Sequence, residues 1–248
     1  MSLSEEQAWV ILILMVGIVF FLFSDSDLWQ STFKFLFPQL SQVLYPNVSL
    51  LTLILQHIEI VFISSLFTVL IGIPLGIWVT RSSGRNFLSI VTAITSCGQT
   101  IPPVAVLALA VPALGFGVLP TVVALFLYGL LPVVRNTIAG LQSISRDVLD
   151  ASYGMGMSHL QTLTRVETPL ATPIILAGVR ISVIINIGTA MIGATIGAGG
   201  LGTPVIAGLV QNNVAFVLEG AIPAAILAIL LDQLFSNVEK SFAYSSPG

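Results

Sequence analysis

The chain has 248 residues, of which 56% are hydrophobic and 8% charged, with a net charge of −3 and a mean hydropathy of +1.03. Soluble domains carry about 25% charged residues, so there is too little polar surface here to cover a water-exposed globule, and lipid must be the solvent over most of it. A disulfide scaffold is excluded as well: Cys97 is the one cysteine, it sits in an apolar stretch, and it is expected to be a small packed residue.

Apolar runs occupy 8–23, 57–79, 87–113, 118–134, 173–196 and 214–235. Several approach the roughly 20 residues that cross a bilayer as a helix. In hydrocarbon the backbone must satisfy its own hydrogen bonds, so each run is expected to be helical. The period-2 alternation of a membrane barrel is missing. The first run follows Glu5 and Glu6 and precedes Ser24-Asp25-Ser26-Asp27, with no small-residue cleavage pattern, so it reads as a retained span. The expected fold class is an all-α integral membrane protein with about six transmembrane helices in one domain, 1–248.

Sidedness follows from the basic residues. Arg81 and Arg85 lie between the second and third runs, Arg135, Arg146 and Arg165 between the fourth and fifth, and Lys240 after the sixth. These fall on one side if six spans alternate; only Lys34 falls on the other. Arg180, one or two turns inside the fifth run, can snorkel to the basic side. Both termini and the long 136–172 loop are therefore expected in the cytoplasm.

The third run is broken by Pro102-Pro103, which removes two backbone donors and forces a kink or an extended piece. That break is either a packing bend or a hinge lining a pathway. Near the fifth run, Gly197-Ala198-Gly199-Gly200-Leu201-Gly202 matches G-x-G-x-x-G, with Glu219 17 residues later. A dinucleotide site needs a βαβ unit around that motif; between membrane spans it reads as a tight turn with close backbone packing.

Neither lysine, Lys34 or Lys240, follows a glycine-rich turn, so a P-loop is not available. His57 and His159 have opposite expected sidedness, so no metal site is expected, nor any cofactor or nucleic-acid partner. Glu59 and Glu219 lie toward the outer ends of their runs, and Arg180 and Asp232 toward the cytoplasmic ends, where an Arg180–Asp232 pair is possible. Without a mid-membrane charge cluster, the pattern argues against an ion-coupled transporter, which stays as the alternative class.

In the 136–172 loop, Leu149, Tyr153 and Met157 recur at helical spacing. Gly156 is placed to end that helix in a left-handed conformation. Ser158 and Gln161 fit the capping box that starts another. Pro169 is expected to stop the second helix, and Thr172-Pro173 to begin the fifth span.

Asp150-Ala151-Ser152, Gly156 and Val166-Glu167-Thr168-Pro169 resemble the EAA loop of ABC-importer permeases, E-A-A-x3-G-x9-I-x-L-P, with matching spacing. Asp, Ser and Val depart conservatively from Glu, Ala and Ile; Thr168 in place of Leu is a larger change. Gln99-Thr100-Ile101-Pro102-Pro103, the stretch 127–137 and the stretch 196–202 are similar to the branch for glycine betaine, choline and related osmoprotectants. The resemblance implies a type I importer permease fold and a cytoplasmic ATPase partner seated on Asp150, Ala151, Ser152, Gly156, Val166 and Pro169. It also implies an external substrate-binding protein and a second permease chain. A pathway around Pro102, Pro103, Asn186 and Gly188 is expected. With 3 Trp and 4 Tyr lacking obvious clustering, solute recognition is expected to reside mainly in the binding protein.

Overall fold

A computed structural model describes residues 5–244, and among these the chain is helical with no strand. α1 spans Glu5–Ser24 and α2 Ser26–Leu36. An irregular segment follows to α3, Leu50–Thr80, whose amino end is capped by Ser49 accepting from the Thr52 N–H. α4 (Leu88–Thr100) and α5 (Pro103–Leu114) meet at the proline pair with a bend of 96°. α6 runs Val118–Gln142 and α7 Arg146–Gly154. α8, His159–Thr162, passes through one wide π turn, Leu163–Glu167, into α9, Thr168–Gly193. α10 (Gly202–Gln211) and α11 (Val214–Tyr244) complete the fold.

Among the described residues, four rods are long and apolar enough to cross a bilayer: α3, α6, the continuous 159–196 rod and α11. The bent α4–α5 pair brings that number to five at most, and the described apolar part of α1, Gln7–Ile18, is shorter. α6 lies in the middle, packed on α3 at one side and α9 at the other, with α11 on α9 and α1 on α11. The shared core gathers Ile60, Val61, Leu125, Val133, Val183 and Ile187. The outward faces of α1 and α3 keep large apolar side chains such as Ile13, Phe62 and Leu70 exposed, as a lipid-facing surface requires.

Several boundaries differ from the hydropathy reading. α3 begins at Leu50 rather than 57, because Gln56 and His57 face inward: His57 is fully buried, its Nε2 3.1 Å from the Ile187 carbonyl oxygen. α6 continues past Arg135 to Gln142, so the first part of the expected 136–172 loop is helix. Pro169 does not stop the second loop helix, and Thr172-Pro173 does not start the span. Both prolines lie inside one 38-residue rod, His159–Ile196. The wide turn makes this possible: the Thr168 N–H bonds five residues back to the Leu163 carbonyl, and the added width ahead of Pro169 makes room for its ring. Cys97 is exposed on α4 rather than packed.

The glycine-rich turn joins α9 to α10, with Gly197, Gly199 and Gly200 at φ of 78°, 83° and 74°. The Gly200 N–H donates to Gln56 Oε1 at 3.0 Å. At Gly202 an added Cβ would lie 2.0 Å from the Met191 carbonyl oxygen, so the motif serves backbone packing.

Candidate functional site

α7 starts where Ser145 caps its first turn and ends in a Schellman arrangement: the Gly156 N–H donates to the Tyr153 carbonyl and the Met157 N–H to the Ser152 carbonyl. Gly156 has φ 82°, the left-handed conformation expected at its position. The chain then enters α8 through a complete capping box, Ser158 Oγ accepting from the Gln161 N–H and Gln161 Oε1 from the Ser158 N–H. Two contacts clamp this hairpin. Ser152 Oγ meets Thr162 Oγ1 at 3.3 Å in the buried seam, and the Tyr153 ring stands edge-on to His159 with its hydroxyl 3.1 Å from Nδ1.

The sequence-matched residues divide accordingly. Ser152 faces inward, Val166 is half-buried, and Asp150, Ala151, Gly156 and Pro169 are exposed. Around the turn, Met155 and Leu160 stay 71% and 70% exposed. Exposed apolar side chains grouped with a carboxylate in this way form the kind of patch that interaction sites use.

Arg81 and Glu167 escape sequence reasoning. Arg81 caps the far end of α3 and makes a two-pronged ion pair with Glu167, Nη1 to Oε1 at 2.9 Å and Nη2 to Oε2. Glu167 is buried, in the π turn, at a variable position of the motif. Fork-to-fork geometry fixes orientation as well as distance, so α3 is held to the hairpin's continuation at that end of the bundle. Further along, Arg180 Nε donates to Asp232 Oδ1 at 2.7 Å, and Nη1 to Glu239 Oε2 at 3.2 Å, tying α9 to α11.

The four residues expected along a pathway are not brought to one surface within the chain. Pro102 is exposed and Pro103 half-buried at the α4–α5 bend, where Gln99 Nε2 donates to the Tyr128 carbonyl at 2.8 Å and anchors α4 on α6. Gly188 is on an exposed face of α9, where an added Cβ would meet nothing within 4 Å. Asn186, two residues earlier and so on the other face, is fully buried near Ser64 and Ser65, with Nδ2 3.5 Å from each hydroxyl. An added Cβ at Gly129 would lie 2.4 Å from Ser182 Oγ and 3.1 Å from Asn186 Nδ2, so α6 approaches this polar seam without a side chain. Small residues and short polar groups are how membrane helices pack closely.

Helices long and apolar enough to cross a membrane, a broken helix beside them and a clamped hairpin at one end of the bundle define the class as a multi-pass membrane protein. Similarity to known proteins narrows the class. The family described as "Binding-protein-dependent transport system inner membrane component" matches residues 72–244, and the chain belongs to it. It is 43% identical over 190 residues to the osmoprotectant import permease protein OsmY of Salmonella typhimurium, covering 77% of this chain and 80% of that one. It is 38% identical to the choline transport system permease protein OpuBB of Bacillus subtilis, covering 75% and 84%. In solved structures the fold is similar to the MetNI methionine ABC transporter in an inward-facing conformation, with a TM-score of 0.69 at 23% identity, covering 78% of this chain and 95% of that one. The protein is thus a multi-pass membrane component of an ABC importer.

Proposed function

We propose that the chain is the permease half of an ATP-driven importer for quaternary-amine osmoprotectants such as glycine betaine, choline or carnitine. Two permease chains, identical or paired with a related one, form the pathway; two ATPase chains drive it; an external binding protein delivers the solute. With neither lysine in a glycine-rich turn, this chain borrows its energy from the ATPase chains. The observation that carries the reading is the clamped α7–α8 hairpin with its exposed apolar tip, on a chain similar to relatives named for these solutes.

The continuity of α8 with α9 supports a simple transmission. A 38-residue rod is about 57 Å long. A push on residues 150–162 therefore moves the membrane-crossing part of α9 directly, and the Arg81–Glu167 fork carries α3 with it. Pro102, Pro103 and Gly188 face the pathway or the second permease chain, and Asn186 sets the seam on which α9 shifts.

With α1 counted as the first span and the α4–α5 pair as the third, the topology has six spans with both termini cytoplasmic, in a bacterial or archaeal cytoplasmic membrane. Support comes from Arg81 pairing with Glu167 at one end, while Lys34 lies near the opposite end of α3, on the segment that packs against the start of α11.

The test is uptake of radiolabelled choline, glycine betaine and carnitine into proteoliposomes holding this chain, its ATPase and its binding protein. ATP-dependent accumulation of at least one is expected. Accumulation that follows an ion gradient without the ATPase would place the chain in the alternative class.

A further inference from the structure

At the end of the bundle opposite the hairpin lies a cavity of about 450 Å³, bounded by the end of α1, the start of α2, the segment before α3, the first turn of α3 and α11. Its size lies within the range of small-molecule sites. Phe23, Trp29 and Tyr45 line it, together with Ser49, Leu50 and Glu219. The fold gathers aromatic residues that the sequence leaves scattered, and it braces them. Phe23 and Trp29 have ring centroids 5.5 Å apart, and Tyr45 is held edge-on by Phe216 at 5.9 Å.

Glu219 supplies the charge. It is 2% exposed, and the hydrogen bond that holds it comes from a backbone group, the Tyr45 N–H at 2.7 Å on Oε2. None of the ion pairs among the described residues includes it. Lys34, the cation on this side, is engaged with the Leu40 carbonyl at 2.7 Å. A carboxylate buried in apolar surroundings is costly unless a cation compensates it. In a membrane helix such a group marks a binding site more often than a structural one. Aromatic side chains lining a space beside a buried carboxylate suit a cation too bulky and too weakly hydrated for a lysine-like partner, and quaternary ammonium groups are bound by aromatic residues in this way. Leu50 and Leu51 line the same space, and their first-turn N–H groups have no partner inside the helix. They are placed to take a hydroxyl or carboxylate at the other end of such a solute.

We propose that this cavity is a quaternary-ammonium site within the permease itself, with Glu219 as counter-charge and Trp29, Tyr45 and Phe23 as the cage. The assignment rests on the import reading above and goes beyond it, because it gives this chain a share of the recognition that its sequence assigns mainly to the binding protein.

The test uses the full chain in lipid nanodiscs, without ATPase or binding protein, and measures radiolabelled choline binding. Saturable binding is expected, with displacement by the neutral isostere 3,3-dimethylbutan-1-ol weaker by about tenfold or more, the loss of one charge contact. Glu219→Gln is expected to weaken choline binding by about tenfold, and Tyr45→Leu by several-fold. The second variant removes the ring but leaves the backbone bond to Glu219, so it keeps the test open if the first does not fold. Equal displacement by the neutral isostere, or binding unchanged in both variants, overturns the site. The assembled wild-type importer separates the two readings: choline-stimulated ATP hydrolysis without binding to the chain alone removes the site and keeps the import function. Absence of binding, together with absence of stimulation by choline, glycine betaine and carnitine alike, removes both.

Discussion

Replacing Glu167 by Gln tests whether the hairpin is mechanically tied to α3. The substitution keeps the shape and leaves Arg81 facing a neutral amide. Removing one partner of a fully buried ion pair costs about 3–5 kcal/mol, whereas exposed pairs are worth about 0.2–1 kcal/mol. Here the Glu167 side chain is 5% exposed and that of Arg81 32%. Water can therefore compensate part of the arginine but little of the carboxylate, and the expected cost is about 1–3 kcal/mol. At about 2–4 °C per kcal/mol for a chain of this size, the melting temperature falls by about 2–12 °C. Because the fork is shared, Glu167→Gln, Arg81→Gln and the double variant should not add, and the double should cost about as much as either single. The functional readout is solute-stimulated ATP hydrolysis by the assembled importer, which should drop by about tenfold in each single variant if roughly 1.4 kcal/mol of coupling is lost. Additive melting shifts, or wild-type stimulation in Glu167→Gln, would refute the linkage.

Other substitutions probe separate parts of the structure. Gly156→Ala forces a side chain into φ 82°, at a cost of about 1 kcal/mol; the chain should accumulate normally while co-purification of the ATPase weakens. Gly202→Ala places a Cβ 2.0 Å from the Met191 carbonyl oxygen, and should abolish a monodisperse peak in detergent chromatography. Gly188→Ala meets nothing within 4 Å, and Ala is the better helix former by about 1 kcal/mol, so its melting temperature should not fall. A change in transport rate alone would then support a pathway-facing position. Arg180→Gln leaves Asp232 and Glu239 near each other without their shared cation; it should destabilise by about 1 kcal/mol, and Asp232→Asn in the same chain should recover part of the loss.

The parts legible in the sequence are those governed by local rules. Gly156 and the Ser158–Gln161 box act over three or four residues, so their pattern is nearly sufficient to place them. The apolar runs locate the rods, since hydropathy is averaged over many residues. Their ends are less legible: α6 runs on past Arg135 because Thr137, Ile138 and Leu141 are buried, with Leu141 packed on Ala171 and Ile175 of α9. Pro169 and Pro173 read as punctuation because an isolated helix is broken by proline, whereas here a widened turn and neighbouring helices absorb the lost donors. Arg81 and Glu167 are 86 residues apart, and Tyr45 and Glu219 are 174 apart. Neither pairing has a signature along the chain, so the linkage and the aromatic cavity emerge only from the fold. The Arg180–Asp232 pair is foreseeable because both residues lie near the same expected end of their spans, and the geometry adds Glu239.

The most direct test of the account is a cross-link from the tip of the hairpin to the ATPase. In a Cys97→Ser background, which removes the one native thiol, Met155→Cys places a thiol on the most exposed side of the glycine turn. With a short bifunctional reagent, the assembled importer should give a product between this chain and the ATPase subunit whose yield changes with nucleotide. An importer that still transports and hydrolyses ATP but gives no such product at Met155→Cys would show that the motor sits elsewhere.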